Sequence, residues 1–282
     1  MLAILVVAAS LVPVKPPASS GGFVGSMTCA TCHEDVTQRF NAGPHGRAMA
    51  AVRGDALARA CEGCHGPGEA HAANPTGNNI QRLAPNAPEV ARACGSCHQG
   101  RDQDLQRRTP GHGRAGVSCL ACHQSGHQPA MAEHLLAAPE DALCGGCHPT
   151  ERSEFLLPFA HRETRTEPMA CTACHGVHQS QANAMGLSAE PGKRCASCHA
   201  EKAGPFTYPH SPVEASGCIR CHRPHGSPNP QLLVRRDPGS LCLECHVATP
   251  PFHDLTKASF RQCQACHSAV HGSQRSPKLF EE

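Results

Sequence analysis

Apolar positions fall into one continuous stretch, Leu2 to Val14, and otherwise into short clusters that Gly and Pro interrupt. Neither a two-residue nor a 3.6-residue period persists over any distance. The pattern predicts short helices at Glu34 to Phe40, Asp55 to Cys64 and Ala132 to Ala138, and hardly any strand. The chain holds 26 Gly and 25 Pro, and turn signals such as GPGEAH, PGHG, HRPHGSPNP and ATPP stop any longer element. Leu2 to Val14 covers 13 residues, includes Pro13, and is too short to span a bilayer. It suits the apolar region of a secretory signal, with Val7-Ala8-Ala9 or Ala18-Ser19-Ser20 as small-residue cleavage options, although no Lys or Arg precedes it. Residues 1–20 are therefore expected to be a signal peptide and the mature protein to be exported. Nothing later reads as a membrane span, and no Cys lies near the end of the apolar stretch, so no lipid anchor is expected there.

Composition sharpens the picture. Aromatic residues make up 3% of the chain, with no Trp, one Tyr and eight Phe. Large aromatic side chains usually dominate the burial of a core, so something other than side chains must fill this interior. The 20 Cys resolve without remainder into ten C-x-x-C-H pentapeptides. Chance would give about 0.1 of these in such a chain. Disulfide frameworks do not require His after every second Cys. Zinc sites would gather C-x-x-C pairs in fours and leave that His unexplained. Covalent haem c explains both thiols and the His, so the expected cofactor is ten haems. Cys29, Cys32, Cys61, Cys64, Cys94, Cys97, Cys119, Cys122, Cys144 and Cys147 supply the first ten thioether bonds. Cys171, Cys174, Cys195, Cys198, Cys218, Cys221, Cys242, Cys245, Cys263 and Cys266 supply the rest. The proximal iron ligands are His33, His65, His98, His123, His148, His175, His199, His222, His246 and His267.

Eleven further His remain of the 21. A unit of motif, isolated His, motif and trailing His repeats five times, starting near residues 29, 94, 144, 195 and 242. It places His45 and His71, His112 and His127, His161 and His178, His210 and His225, and His253 and His271 at equivalent positions. These are the expected distal ligands, giving bis-His irons that relay electrons, where an open iron would bind substrate. His178 follows His175 by three residues, at most ~10 Å of extended chain, and cannot pass around a porphyrin to the same iron. His178 and His225 must then serve other haems, and His127 and His271 are read the same way. His134 has no counterpart among the repeats and is expected not to be a ligand. The internal Met show no repeat register and read as haem-packing residues. With two ionised propionates per haem, the formal charge of +2 would fall to about −8 oxidised and −18 reduced. Arg107-Arg108, Arg162/Arg165 and Arg235-Arg236 are candidates for pairing with propionates or for solvated surface charge.

The segments FVGSMTCATCHED, ACEGCHGPGEAH, YPHSPVEASGCIRCHRPHGSPNPQLL, LCLECH and CQACHSAVHGSQRSPKLF resemble outer-membrane decahaem cytochromes of the MtrA, PioA and DmsE type. The resemblance runs over nearly the whole mature chain, without the long N-terminal extension of the PioA branch. It implies a multihaem cytochrome c fold, mostly irregular coil with short α-helices wrapped around an elongated chain of haems. It also implies two pentahaem halves, residues 21–150 and 151–282. The implied function is an electron conduit and not an enzyme, located in the periplasm or at the outer membrane of a Gram-negative bacterium. The implied partners are a porin-like β-barrel, periplasmic donor cytochromes or quinol-linked proteins, and an extracellular multihaem cytochrome or reductase. A multihaem reductase with one open haem, or a filament-forming nanowire cytochrome, are the alternatives. No feature points to nucleic acid.

Overall fold

A computed structural model describes residues 21–52, 57–76, 78–85, 88–98, 110–124, 127, 133–162, 169–178, 192–247, 250 and 253–280. The expected signal segment 1–20, Asp55, Ala132, Arg107, Arg108 and Arg165 lie outside these residues. The chain forms two compact units, one of Met1–His98 with Ser118–Leu135, the other of Gln99–Val117 with Leu136–Glu282. Helices are short throughout, joined by turns, with coil between them.

Each haem-binding motif makes one helical turn. The His N–H donates to the carbonyl of the first Cys in every motif whose bond is resolved, as in His33 to Cys29 (2.9 Å), His175 to Cys171 (2.8 Å) and His246 to Cys242 (3.0 Å). Helical geometry puts positions i, i+3 and i+4 on one face, so both thiols and the imidazole leave the same side of the turn. Glu34–Ala42 follows the first motif with Glu34 and Asp35 in its first turn and Arg39 in its last, the favourable sense for the helix dipole. Asp55 to Cys64 was expected as one helix; the helical turn there is Ala60–His65. Ala132 to Ala138 is not an α-helix in its described part. It forms a single 3₁₀ turn, Glu133–Leu135, with His134 at φ 56° and Leu135 at φ 57°. The left-handed backbone directs the His134 carbonyl back at His123, a use of the chain that a helix would not allow.

The second unit contains four two-residue strands, β1 (Phe159–Ala160), β2 (Tyr208–Pro209), β3 (Gly226–Ser227) and β4 (Gly272–Ser273). β1 pairs antiparallel with β3, and β2 with β4. These two ladders are the same device used twice. Each joins the residues before an isolated His (His161, His210) to the His-Gly-Ser that trails a later motif (His225, His271). In both cases Gly is needed for close approach. A Cβ at Gly226 would collide with the Glu154 carbonyl, and one at Gly272, at φ 147°, with the Phe206 ring. The Ser then turns the chain. Ser227 Oγ donates to the Leu233 carbonyl (2.7 Å) and accepts from Asn229 N–H (3.0 Å), while Ser273 Oγ accepts from Arg275 and Ser276 N–H.

Side-chain packing is thin. Among the described residues the buried hydrophobic ones are Ala60, Val90 and Leu233, whereas Met27, Leu156 and Val247 are at least 80% exposed. So few buried side chains cannot offset the conformational entropy of ordering the chain. The polypeptide is shaped to close around something apolar that is not polypeptide.

One polar group is deeply buried in the first unit. Glu62, the spacer residue of the second motif, is 3% exposed and accepts N–H bonds from Val24 (2.9 Å), Gly25 (2.9 Å) and Gly68 (2.8 Å). Burial works to raise its pKa, but those three N–H groups and the Arg59 charge outweigh it and hold the carboxyl below its ordinary value. A carboxyl depressed in the folded state stabilises fully above its unfolded pKa, and the contribution disappears as pH falls through the folded one. Glu62→Ala should therefore cost on the order of 2 kcal/mol at neutral pH. Thermal melts followed at the Soret band should show the wild-type advantage narrowing towards pH 3. Gly272→Ala should lower the same melting midpoint in the holoprotein, by about 1–3 kcal/mol of stability, through strain and overlap with Phe206; an unchanged midpoint would contradict the close approach.

Candidate functional site

Neighbouring motifs meet through their sulfurs. The thiols of Cys29 and Cys61 hydrogen-bond, as do Cys195 and Cys218, and Cys242 and Cys263. Burial, then the facing thiol, pushes Cys29, Cys195 and Cys242 up to about 11. These thiols stand in for thioether sulfurs. In each of these pairs, the first Cys of one motif meets the first Cys of the next within one repeat copy. Between copies it is the second Cys of each motif that interact: Cys64 with Cys97, Cys174 with Cys198, and Cys221 with Cys245. Within each unit, the interactions resolved between successive motifs thus involve first sulfurs inside a copy and second sulfurs between copies. No disulfide joins the cysteines, and among the described residues no cluster of three or more His, Cys, Asp or Glu could hold a metal ion by itself.

The histidines pair just as regularly. Each isolated His faces the first motif His of the following copy: His45 with His98, His112 with His148, His161 with His199 and His210 with His246. Trailing His reach backwards, to the second motif His of the preceding copy: His127 with His65, His225 with His175 and His271 with His222. The two outer copies close on themselves, His71 with His33 and His253 with His267. The remaining members of the set, His123 and His178, fall in different units.

The centroid separations lie between 5.7 Å and 6.4 Å, while the interplanar angles range from 13° to 76°. An imidazole–metal bond of about 2 Å on each side, plus about 1 Å from each nitrogen to its ring centre, gives roughly 6 Å. Coordination along a common axis fixes that distance but leaves each ring free to rotate about the axis. Direct aromatic packing favours particular ring orientations. A constant distance with a variable angle is therefore what a metal ion shared by the two rings would require.

The other ring nitrogen supports the same geometry. His65 Nδ1 donates to the Gln81 carbonyl (2.8 Å), His161 to Pro224 (2.9 Å), His210 to Val270 (2.7 Å), His222 to Gln231 (2.7 Å) and His267 to Lys278 (2.6 Å). His123 Nδ1 donates to the His134 carbonyl (2.8 Å) and His225 Nδ1 to Glu154 Oε2 (3.0 Å). Metal-bound His ordinarily engages its second nitrogen in this way, which fixes the tautomer and leaves Nε2 for the metal. Burial, then the facing ring, holds His45, His112 and His271 below the usual imidazole value, towards the neutral form a ligand needs.

Sequence reasoning missed these acceptors because most of them are backbone. Three come from one device, a left-handed residue next to Leu: His134 and Leu135 at φ 56° and 57°, Gln231 and Leu232 at 51° and 58°, and Leu279 at 57°. The accompanying ladder bonds repeat too, Gln124 N–H to Leu135, Arg223 to Leu232 and Ala269 to Leu279. His134 thus occupies the place held by Gln231 and Lys278 in later copies. It is exposed, and its carbonyl has the role. Of the Arg clusters, Arg235 pairs with Glu244 (2.6 Å).

His134→Ala should leave the low-spin haem spectrum unchanged, because the carbonyl stays. His134→Pro, whose ring fixes φ near −65°, should disturb the site of His123. Electron paramagnetic resonance distinguishes the two, and a high-spin signal in the Ala variant would make the side chain, not the carbonyl, the functional group.

The doubled CXXCH motif family model matches residues 161–204 and 210–250. Over 190 residues the chain is 31% identical to the multiheme cytochrome MtrA of Shewanella baltica (strain OS185), covering 64% of this chain and 54% of that protein. The chain therefore spans about half the length of this curated relative. Cysteines of neighbouring motifs that meet, imidazoles spaced for an iron and this likeness agree: the chain is similar to MtrA-type multihaem c-type cytochromes, and its C-x-x-C-H motifs indicate covalently bound haem c.

Proposed function

We propose that the chain carries ten haems, one per motif, each iron held by the motif His and by one of the ten repeat-placed His. It relays electrons across the outer membrane inside a porin-like barrel, between periplasmic donors and an extracellular partner. Haem supplies one-electron exchange between ferric and ferrous iron when bound. The chain does the rest. The motif thiols would hold each macrocycle covalently, the facing imidazoles would hold its iron, and acceptors at Nδ1 orient several of those imidazoles, among them His65, His123, His161, His210, His222, His225 and His267.

The observation that carries the relay reading is that the first cysteines of successive motifs meet within three copies, Cys29 with Cys61, Cys195 with Cys218 and Cys242 with Cys263. It supports closely approaching macrocycles along the chain, the condition for electron hopping. Saturated imidazole pairs favour relay over reaction, since an open iron is what a substrate would need. The outermost copies point the same way. His71 with His33 and His253 with His267 are pairs made within one copy, so these sites need no His from another molecule, as a ligand-sharing filament would. No helix among the described residues is long and apolar enough to cross a membrane, so the barrel is proposed from the likeness to MtrA.

Pyridine haemochrome quantitation should give ten haems per chain, with low-spin signals throughout the resonance spectrum. Fewer than nine haems, or a sizeable high-spin fraction, would overturn the bis-His decahaem reading. Co-expression with a barrel partner should move the protein into the membrane fraction; retention there without a partner would contradict tethering by association.

A further inference from the structure

His225 differs from its counterparts in what its Nδ1 meets. The acceptors of His65, His161, His210, His222 and His267 are backbone carbonyls. His71 Nδ1 meets the Thr76 carbonyl and the Asn79 amide oxygen, both at 3.1 Å. His225 Nδ1 donates to a carboxylate, Glu154 Oε2, at 3.0 Å. Its side chain and that of Glu154 are 27% and 29% exposed, so solvent screens the carboxylate only in part. Glu154 is held firmly. It closes the helix Pro149–Glu154, its carbonyl fills the space that a Cβ on Gly226 would need, and Phe155 lies against the His225 ring at 5.6 Å. The place before the corresponding Phe206 is taken by Pro205, so the repeat itself does not require a carboxylate there.

We propose that Glu154 is a positioning residue that lowers the reduction potential of the haem between His175 and His225. The inference rests on the ligand assignment above. A carboxylate accepting from Nδ1–H draws that proton towards itself and makes Nε2 a stronger donor to iron. A stronger donor favours ferric over ferrous iron, and the negative charge nearby acts in the same direction. The redox step is a single electron passing from a neighbouring ferrous iron to this ferric one; no bond or proton changes hands. The haem between His175 and His225 is then a step that electrons must climb, whichever way they travel.

Spectroelectrochemical titration of the full-length holoprotein tests this with Glu154→Gln, which keeps a carbonyl acceptor and removes the charge. One component of the titration should move to higher potential while the low-spin resonance spectrum stays as in wild type. A curve that superimposes on wild type, or moves to lower potential, overturns the proposal. So does loss of a low-spin haem in Glu154→Gln, which would make the carboxylate a structural support only. His225→Ala separates the two levels of the argument. Conversion of one haem to high spin upholds the ligand assignment whatever Glu154 does, and no conversion rejects that assignment itself.

Discussion

The gap held open between facing imidazoles is the constraint on which the rest of this structure depends. Rings kept about 6 Å apart at very different mutual angles make no sense as contacts in their own right. They do make sense as the two ends of an axis through an iron. Once that axis is accepted, the poverty of the side-chain core stops being a puzzle. Buried Ala60, Val90 and Leu233 are too little to hold a chain of this length, but macrocycles enclosed by short turns supply the apolar surface that is missing. Folding and cofactor attachment are then one event, as in small metal-dependent domains.

Ligand exchange between copies makes that event collective. His45 reaches forward to His98, and His127 reaches backward to His65, so under the proposed ligation a haem site is completed only when two neighbouring copies are in place. Ordinary repeat proteins gain stability by packing one unit on the next. Here the proposed ligation has neighbouring copies share coordination as well, and Cys64 with Cys97 and Cys221 with Cys245 interact across two of the same junctions. On that ligation, deleting an inner copy would strip ligands from its neighbours.

Much of this was legible in the residues because thioether chemistry requires a fixed local spacing. The helical turn of each motif follows from C-x-x-C-H, and the three-residue step from His222 to His225 excludes a shared iron by reach alone. Which distant ring His225 does face was not legible, since nothing local distinguishes His175 from other motif His. The Nδ1 acceptors were hidden for a different reason. A backbone carbonyl can be presented by any side chain, so His134, Gln231 and Lys278 share one role without sharing chemistry. The same fact explains the helix expected near Ala132 to Ala138. Its amphipathic pattern is real, but the need to return a carbonyl to His123 imposes left-handed backbone at His134 and Leu135.

The closure of the outer copies bears on how such a relay exchanges electrons with anything else. Inside the repeat, His45, His112, His127, His161, His210, His225 and His271 each face a ring of a neighbouring copy. At the outermost copies the trailing His71 returns to His33, and the isolated His253 pairs with His267 of its own copy. The proposed terminal irons are thereby satisfied without borrowing a ligand from a partner. A partner that docks at either site would meet a completed macrocycle edge, and transfer would depend on approach and orientation, not on shared coordination. Such contacts form and dissolve without disturbing the fold, which suits a protein whose donors and acceptors must come and go while its own wiring stays fixed.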